Sequence, residues 1–204
     1  MKHPVLIASL LVSAIWPGGA NAADSANDRR QAEHHMREFA QCVVRGDSQT
    51  TRQLLATSAG SDEERRIMTR VAGARARCLG KGRLRMNPIM MRGAMAEQLY
   101  LRTYAASPAA DAHPDAPIPP IIASGQPYHA YAQCIVTRNA PAADAVLRTE
   151  PGSADETLAI QRAMPTFSSC LAGGEQTRLS VDRAALRGLM AEALYDIRMG
   201  QSQG

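Results

Sequence analysis

One nine-residue phrase returns in altered form in this 204-residue chain: FAQCVVRGD at 39–47 matches YAQCIVTRN at 131–139, with four positions identical and cysteine fourth both times. At an offset of 92 the correspondence continues, pairing Cys42 with Cys134, Gly60-Ser61 with Gly152-Ser153, Glu64 with Glu156, and Cys78-Leu79 with Cys170-Leu171. At an offset of 95, RGAMAEQLY (92–100) pairs with RGLMAEALY (187–195), seven of the nine positions being identical. Three matches in the same order point to a tandem duplication, so one fold must be built twice. Solenoids usually need three or more repeats. Two copies are therefore expected to pack on each other about a pseudo-twofold axis.

Each copy carries helix punctuation. Asp47 and Asn139 precede short helical runs, as N-caps do. Ser61-Asp-Glu-Glu64 and Ser153-Ala-Asp-Glu156 are S-x-x-E capping boxes. Asn87-Pro88 opens the last helix of copy one with an N-cap and an N1 proline, and Asp182 or Ser180 does so in copy two. Ile67, Val71, Ala74 and Cys78 form an apolar stripe at helical spacing. Ile160, Met164, Phe167 and Leu171 form one in copy two, on a face shifted by one residue. Gly73 and Pro165 share a repeat position, and both weaken a helix interior, so a bend or break is expected there. No run of alternating β-branched residues appears. The expected fold is all-α: two tandem disulfide-stapled helical units, 23–104 and 128–204, joined by a proline-rich segment, 105–127. Six of the twelve prolines lie in that segment, and Ile118, Ile121 and Ile122 make it a strap along the helices rather than a free linker.

Within each copy the cysteines are 36 residues apart, and four cysteines allow three pairings. A unit that was once single needed its own bridge, so Cys42–Cys78 and Cys134–Cys170 are the expected pairs. A bridge suits a unit of this size, whose core alone is marginal. No C-x-x-C and no Cys–His pair at zinc-finger spacing is present, which argues against catalytic or metal-binding thiols.

The N-terminus agrees with an oxidising destination. Lys2 and His3 precede a largely apolar run of twelve residues, Val5–Trp16, then Pro17-Gly18-Gly19 and the small-x-small site Ala20-Asn21-Ala22. This is the pattern of a secretory signal peptide over 1–22. Twelve residues are too few for a spanning helix, which needs about twenty, so no transmembrane segment is expected after processing. The expected location is the periplasm or the outside of the cell.

Composition narrows the function classes. Beyond Trp16 the aromatic stock is Phe39, Phe167 and five tyrosines, which disfavours carbohydrate platforms and base-stacking grooves, hence nucleic acid. Charge is uneven: residues 29–104 carry 15 basic and 7 acidic side chains, net +8, against 7 and 8, net −1, over 126–200. Arg66, Arg70, Arg77 and Lys81 fall within one helical arc of copy one. They are the candidate anion-binding residues, for an acidic periplasmic protein or an anionic membrane surface.

Other candidates read more simply as structure. In the RGxMAExLY helices, Gly93, Glu97 and Tyr100 share a face, as do Gly188, Glu192 and Tyr195. A free carboxylate beside a phenol suits the acid–base chemistry of a hydrolase, the alternative reading. The favoured account has the glycine admitting a neighbouring helix, with the Glu and Tyr satisfying each other, an arginine or a backbone group. Gln41 and Gln133 are expected as buried amides bonding a helix end. His34 with Glu38 has metal-pair spacing, His35 points elsewhere, and His113 and His129 lie in or beside the linker. No Ser-His-Asp set, phosphate loop or H-E-x-x-H is present, so no catalytic residue, metal or cofactor is assigned.

Through FAQCVVRGD, LATSAGSDEE, RTEPGSADE and RGLMAEALY the chain resembles small exported tandem-repeat proteins of sphingomonad-type alphaproteobacteria. That family has no assigned activity, so the resemblance implies an exported helical repeat protein and carries over no site residue. The expectation is an exported, non-enzymatic binding or scaffold protein.

Overall fold

A computed structural model describes residues 20–74, 78–79, 87–121, 123–171 and 179–201. The apolar run Val5–Trp16 of the expected signal peptide lies outside them, as do Arg77 and Lys81. Among the described residues the fold is all-α. The helices are α1 (Ala20–Gly46), α2 (Ser48–Leu55), α3 (Asp62–Ala74), α4 (Pro88–Thr103), α5 (Pro127–Leu147), α6 (Ala154–Leu171) and α7 (Arg183–Gln201).

The helix boundaries follow from side chains that satisfy orphan backbone donors. Asp47 separates α1 from α2 with an extended backbone (φ −160°, ψ 80°), and its carboxylate accepts the Thr50 N–H at 3.0 Å. Asn139 has nearly the same dihedrals (φ −155°, ψ 70°) and interrupts α5, accepting the Ala142 N–H at 3.1 Å. Ser61 and Ser153 Oγ accept the N–H of Glu64 and Glu156 at 3.1 and 3.0 Å. Each glutamate in turn accepts the N–H of the glycine before the serine, Gly60 at 2.5 Å and Gly152 at 2.7 Å. Both glycines have φ +79°, the left-handed region that a side chain would strain. Asn87 caps α4 with Pro88 at N1, and Asp182 rather than Ser180 caps α7 through the Ala185 N–H at 2.7 Å.

Two disulfides lock these elements: Cys42–Cys78, with Cα atoms 5.7 Å apart, and Cys134–Cys170, at 5.9 Å. Around the first bridge, Phe39, Val43, Leu54, Ile67, Val71 and Met95 form one core. The larger core joins Ile135, Leu147, Phe167, Met190 and Leu194 to Val44, Leu55, Leu99 and Tyr100 from the first half. Helices α4 and α7 pack on each other at the centre, with α1 and α2 against α4 and α5 against α7. Within the proline-rich segment expected as a strap, some described residues touch the helices. Ile121 is buried, Ile118 packs on the core, the His113 N–H donates to Arg138 O at 3.1 Å, and the Arg138 guanidinium donates to Ala116 O at 2.6 Å.

Three expectations are corrected. The buried stripe of α6 is Glu156, Ala159, Ala163, Phe167 and Cys170, which is the face α3 uses. It is not a face shifted by one: Met164 is 47% exposed and Ile160 is half-buried, because small alanines hold the inner positions. Next, α6 does not break at Pro165 but continues to Leu171. A proline there removes one helical hydrogen bond, at a cost of about 3 kcal/mol. Ala163, Phe167 and the Cys134–Cys170 bridge fix the helix on both sides and offset that cost. Last, Gln41 and Gln133 are both exposed, not buried amides. Adjacent Cys134 takes the inward position beside Gln133, and Cys42 is the half-buried neighbour of Gln41. Helix α3 is described to Ala74, so a break following Gly73 falls outside the described residues.

Candidate functional site

The centre of the molecule is a contact between two glycines. A Cβ built on Gly93 would lie 2.7 Å from Gly188 Cα, and one on Gly188 would lie 2.6 Å from Gly93 Cα, so the α4 and α7 backbones touch. The residue before each glycine is an arginine, Arg92 or Arg187, and both are buried.

Arg92 binds three groups from different parts of the chain. Its Nε and Nη2 donate to the Glu192 carboxylate of α7 at 2.6–3.0 Å. Nη1 donates to Glu64 Oε1 at 3.2 Å, the carboxylate of the α3 capping box. Nη1 and Nη2 also reach the carbonyls at the C-terminal end of α2, Leu54 O at 2.9 Å and Leu55 and Thr57 O at 3.0 Å. Those carbonyls sit at the negative end of the helix dipole, where a guanidinium suits them. Arg187 makes the corresponding set: Glu97 at 3.0 and 3.1 Å, Glu156 at 3.0 Å, and the carbonyls of Val146, Leu147 and Thr149 at 2.6–2.9 Å. Burial alone would lower the pKa of Arg92, but Glu192 and then Glu64 outweigh it, and the net direction is upward. The guanidinium stays charged and the two carboxylates stay matched.

These arginines are what sequence reasoning missed. The signal was present in the first letter of RGxMAExLY: an arginine at the same place in both copies, opening an otherwise apolar run. Glu97 and Glu192 are not free carboxylates beside a phenol. Each is held by the arginine of the facing helix. Tyr100 instead donates to Asp144 of α5, which also accepts from Arg148 Nε at 2.6 Å. Burial first and the Asp144 carboxylate second push the Tyr100 hydroxyl up to about 12, with Arg198 opposing. Among the remaining candidates, His34 and His35 are exposed and reach Glu38 at 3.4 and 3.2 Å, and no group of metal-ligating side chains occurs among the described residues. Arg66 and Arg70 are exposed on α3, with Arg66 bound to Glu63 at 2.7 Å and neighbouring Arg65 paired with Asp62.

Over the Arg92–Glu192 pair lies a cleft of about 420 Å³. The first turn of α4 (Pro88, Ile89), the turn Ala59-Gly60, the start of α5 (Pro127, Tyr128, His129) and Leu189 of α7 make its walls, with Glu64, Arg92 and Glu192 as its polar floor. Ile89 and Tyr128, 51% and 39% exposed, stand at its rim. His129 Nε2 lies 3.9 Å from Glu192 Oε2.

The matching place over the Arg187–Glu97 pair is closed to about 20 Å³. Two more arginines fill it. Arg183 Nε lies 3.2 Å from Glu156 Oε2, and its Nη2 lies 3.8 Å from Glu33. Arg37 Nε lies 3.6 Å from Glu97, and its Nη1 lies 2.8 Å from Glu150. By the sequence offsets, Arg183 corresponds to Pro88, Arg37 to His129 and Glu33 to Gly125. Helix α1 runs on past Glu33 toward the N-terminus, whereas α5 starts at Pro127. One side therefore has both the charges and the helical turns to close, and the other has neither.

Comparison with known proteins adds no relative: no protein family, no curated protein and no solved structure matches the chain. Two disulfides fit an oxidising compartment, and no described helix is long and apolar enough to cross a membrane.

Proposed function

We propose that this chain is an exported, non-enzymatic binding protein whose ligand site is the cleft over Arg92 and Glu192. In this reading its two stapled units are related by a pseudo-twofold axis through the Gly93–Gly188 contact. The observation that carries it is the inequality of the two matching places, about 420 Å³ against about 20 Å³. The larger volume falls within the roughly 300–1,000 Å³ of small-molecule sites, and apolar walls over a few polar groups are their usual make-up. The polar floor is bound into the fold through Arg92, which favours binding over chemistry. The signal-peptide pattern and the paired cysteines support export. The basic face of the first unit is the weaker candidate surface, because Arg65 and Arg66 are each paired with an acidic neighbour.

The test uses a neutral, environment-sensitive naphthalene dye. It is expected to bind the oxidised protein one to one, and Ala59→Trp, which fills the cleft from its wall, is expected to abolish binding. Failure of the dye to bind, or unchanged binding to the variant, overturns the reading.

A further inference from the structure

The closed side shows what chemistry such a place accepts. There, Glu156 Oε2 accepts the Gly152 N–H at 2.7 Å and also meets Arg183 Nε at 3.2 Å. Glu97 is held by Arg187 and met by Arg37 as well. On the open side the same two carboxylate positions are Glu64 and Glu192. Among the described residues Glu64 Oε2 accepts the Gly60 N–H at 2.5 Å and nothing else, since Pro88 stands where Arg183 would be. A carboxylate oxygen has two lone pairs, so one acceptor site faces the cleft. Beside Glu192, the place of Arg37 is taken by His129, whose ring nitrogen stays 3.9 Å away. The floor of the cleft thus holds two carboxylates against one guanidinium, with Pro88 and His129 where the closed side has Arg183 and Arg37, and Gly125 and Ser58 where those arginines have Glu33 and Glu150. The walls above that floor are mostly apolar, with Ile89, Pro127, Tyr128 and Leu189 beside Asn87, Gln126 and His129.

We propose that the cleft binds a guanidinium group carried on an apolar stem, the group meeting Glu64 and the rim of Glu192 as Arg183 and Arg37 meet Glu156 and Glu97, and the stem lying against Ile89, Tyr128 and Leu189. Planar bidentate geometry and weak hydration suit a guanidinium to a buried carboxylate better than a compact ammonium. The stem replaces water on the apolar walls. An arginine side chain of a peptide and a free alkylguanidinium share this chemistry. This assignment rests on the cleft being a ligand site, and it adds the charge and shape of the ligand.

The experiment is calorimetric titration of the full oxidised protein at low salt with four probes: butylguanidinium, its neutral isostere butylurea, the anion pentanoate, and a blocked Ala-Arg-Ala peptide. Butylguanidinium is expected to bind about tenfold or more tightly than butylurea, the order of one charge-assisted hydrogen bond, and pentanoate is expected not to bind. Tighter binding of the peptide than of butylguanidinium identifies a peptide arginine as the source, and equal or weaker binding identifies the free cation. Pro88→Arg places an arginine where the closed side has Arg183 and is expected to weaken butylguanidinium at least tenfold while raising the thermal midpoint. His129→Arg, matching Arg37, does the same from the opposite wall and serves if Pro88→Arg fails to fold. Equal affinity for butylurea, or undiminished affinity in a folded arginine variant, overturns the proposal. If the neutral dye binds and butylguanidinium does not, the charge assignment falls while the cleft reading stands. If neither binds, both fall.

Discussion

At the scale of single residues, Arg92 and Arg187 are the positions whose loss is costliest. Arg92→Met leaves Glu64 and Glu192 buried without their cation and strips the carbonyls of Leu54, Leu55 and Thr57 of a donor. Removing one partner of a buried ion pair costs about 3–5 kcal/mol, and urea unfolding is expected to show a loss of that size. Arg92→Lys recovers little of it, because an ammonium cannot reproduce the fork that reaches two carboxylates and a helix end. The glycines separate into two kinds. Gly93→Ala puts a methyl 2.7 Å from Gly188 Cα and must drive α4 from α7, whereas Gly73 has nothing among the described residues within 4 Å of its missing Cβ. Gly73→Ala is therefore expected to stabilise by about 0.5–1 kcal/mol, and Gly93→Ala to destabilise in the same assay. Asp196 gives a pH signature. Desolvation first, and then the Glu192 carboxylate one turn back, push it from 3.8 up to about 6, with Arg92 opposing. The folded protein then holds a proton that the unfolded chain has released, so stability falls as pH rises through that window. Its side chain keeps an exposed face, so solvent discounts the size of the effect. Asp196→Asn is expected to raise the thermal midpoint near pH 7 and to leave it unchanged near pH 4. The glycine contact was legible in the sequence because RG-x-MA-E recurs with glycine fixed. The arginine hub was not, because nothing in one helix shows that the carbonyls of α2 and α5 end beneath it.

At the scale of elements, the caps were the most legible feature, since a cap is a local bargain between one side chain and a backbone donor two or three residues on. Asp47, Ser61, Asn87, Asn139, Ser153 and Asp182 all act within their own turn. Features decided by distant partners were less legible. The inner face of α6 is set by what α5 and the disulfide leave room for, so Ala159 and Ala163 are buried, while Ile160 packs only partly against the core and Met164 is exposed. The same packing carries the helix past Pro165. The staples were readable because a cysteine pair spaced identically in two copies has few sensible partners. Each closes a separation of 36 residues, for which loop-closure entropy gives about 4 kcal/mol. Replacing Cys134 and Cys170 together by alanine is expected to lower stability by about that amount. A loss much below it would mean that the core around Phe167 already confines the loop.

At the scale of the whole molecule, the halves are connected by more than the strap. Arg92 of the first half is held by Glu192 of the second, and Arg187 of the second by Glu97 of the first. The larger core takes Val44, Leu55, Leu99 and Tyr100 from one side and Ile135, Leu147 and Met190 from the other. A half on its own would expose that apolar surface and keep a buried arginine with one carboxylate instead of two. The recurring phrases of the sequence therefore do not imply two independent domains. The intact protein is expected to unfold in one calorimetric transition, with the calorimetric and van't Hoff enthalpies equal. A fragment covering residues 105–204 is expected to keep its Cys134–Cys170 bridge and local helix while lacking dispersed side-chain resonances and a cooperative melt. Mixing it with a 23–104 fragment should restore both, because the crossed arginine–glutamate pairs and the shared core form only when the halves meet. Two separate transitions in the intact protein, or a cooperatively folded single fragment, would show instead that each stapled unit is stable alone and that the Gly93–Gly188 contact is a docking of finished parts.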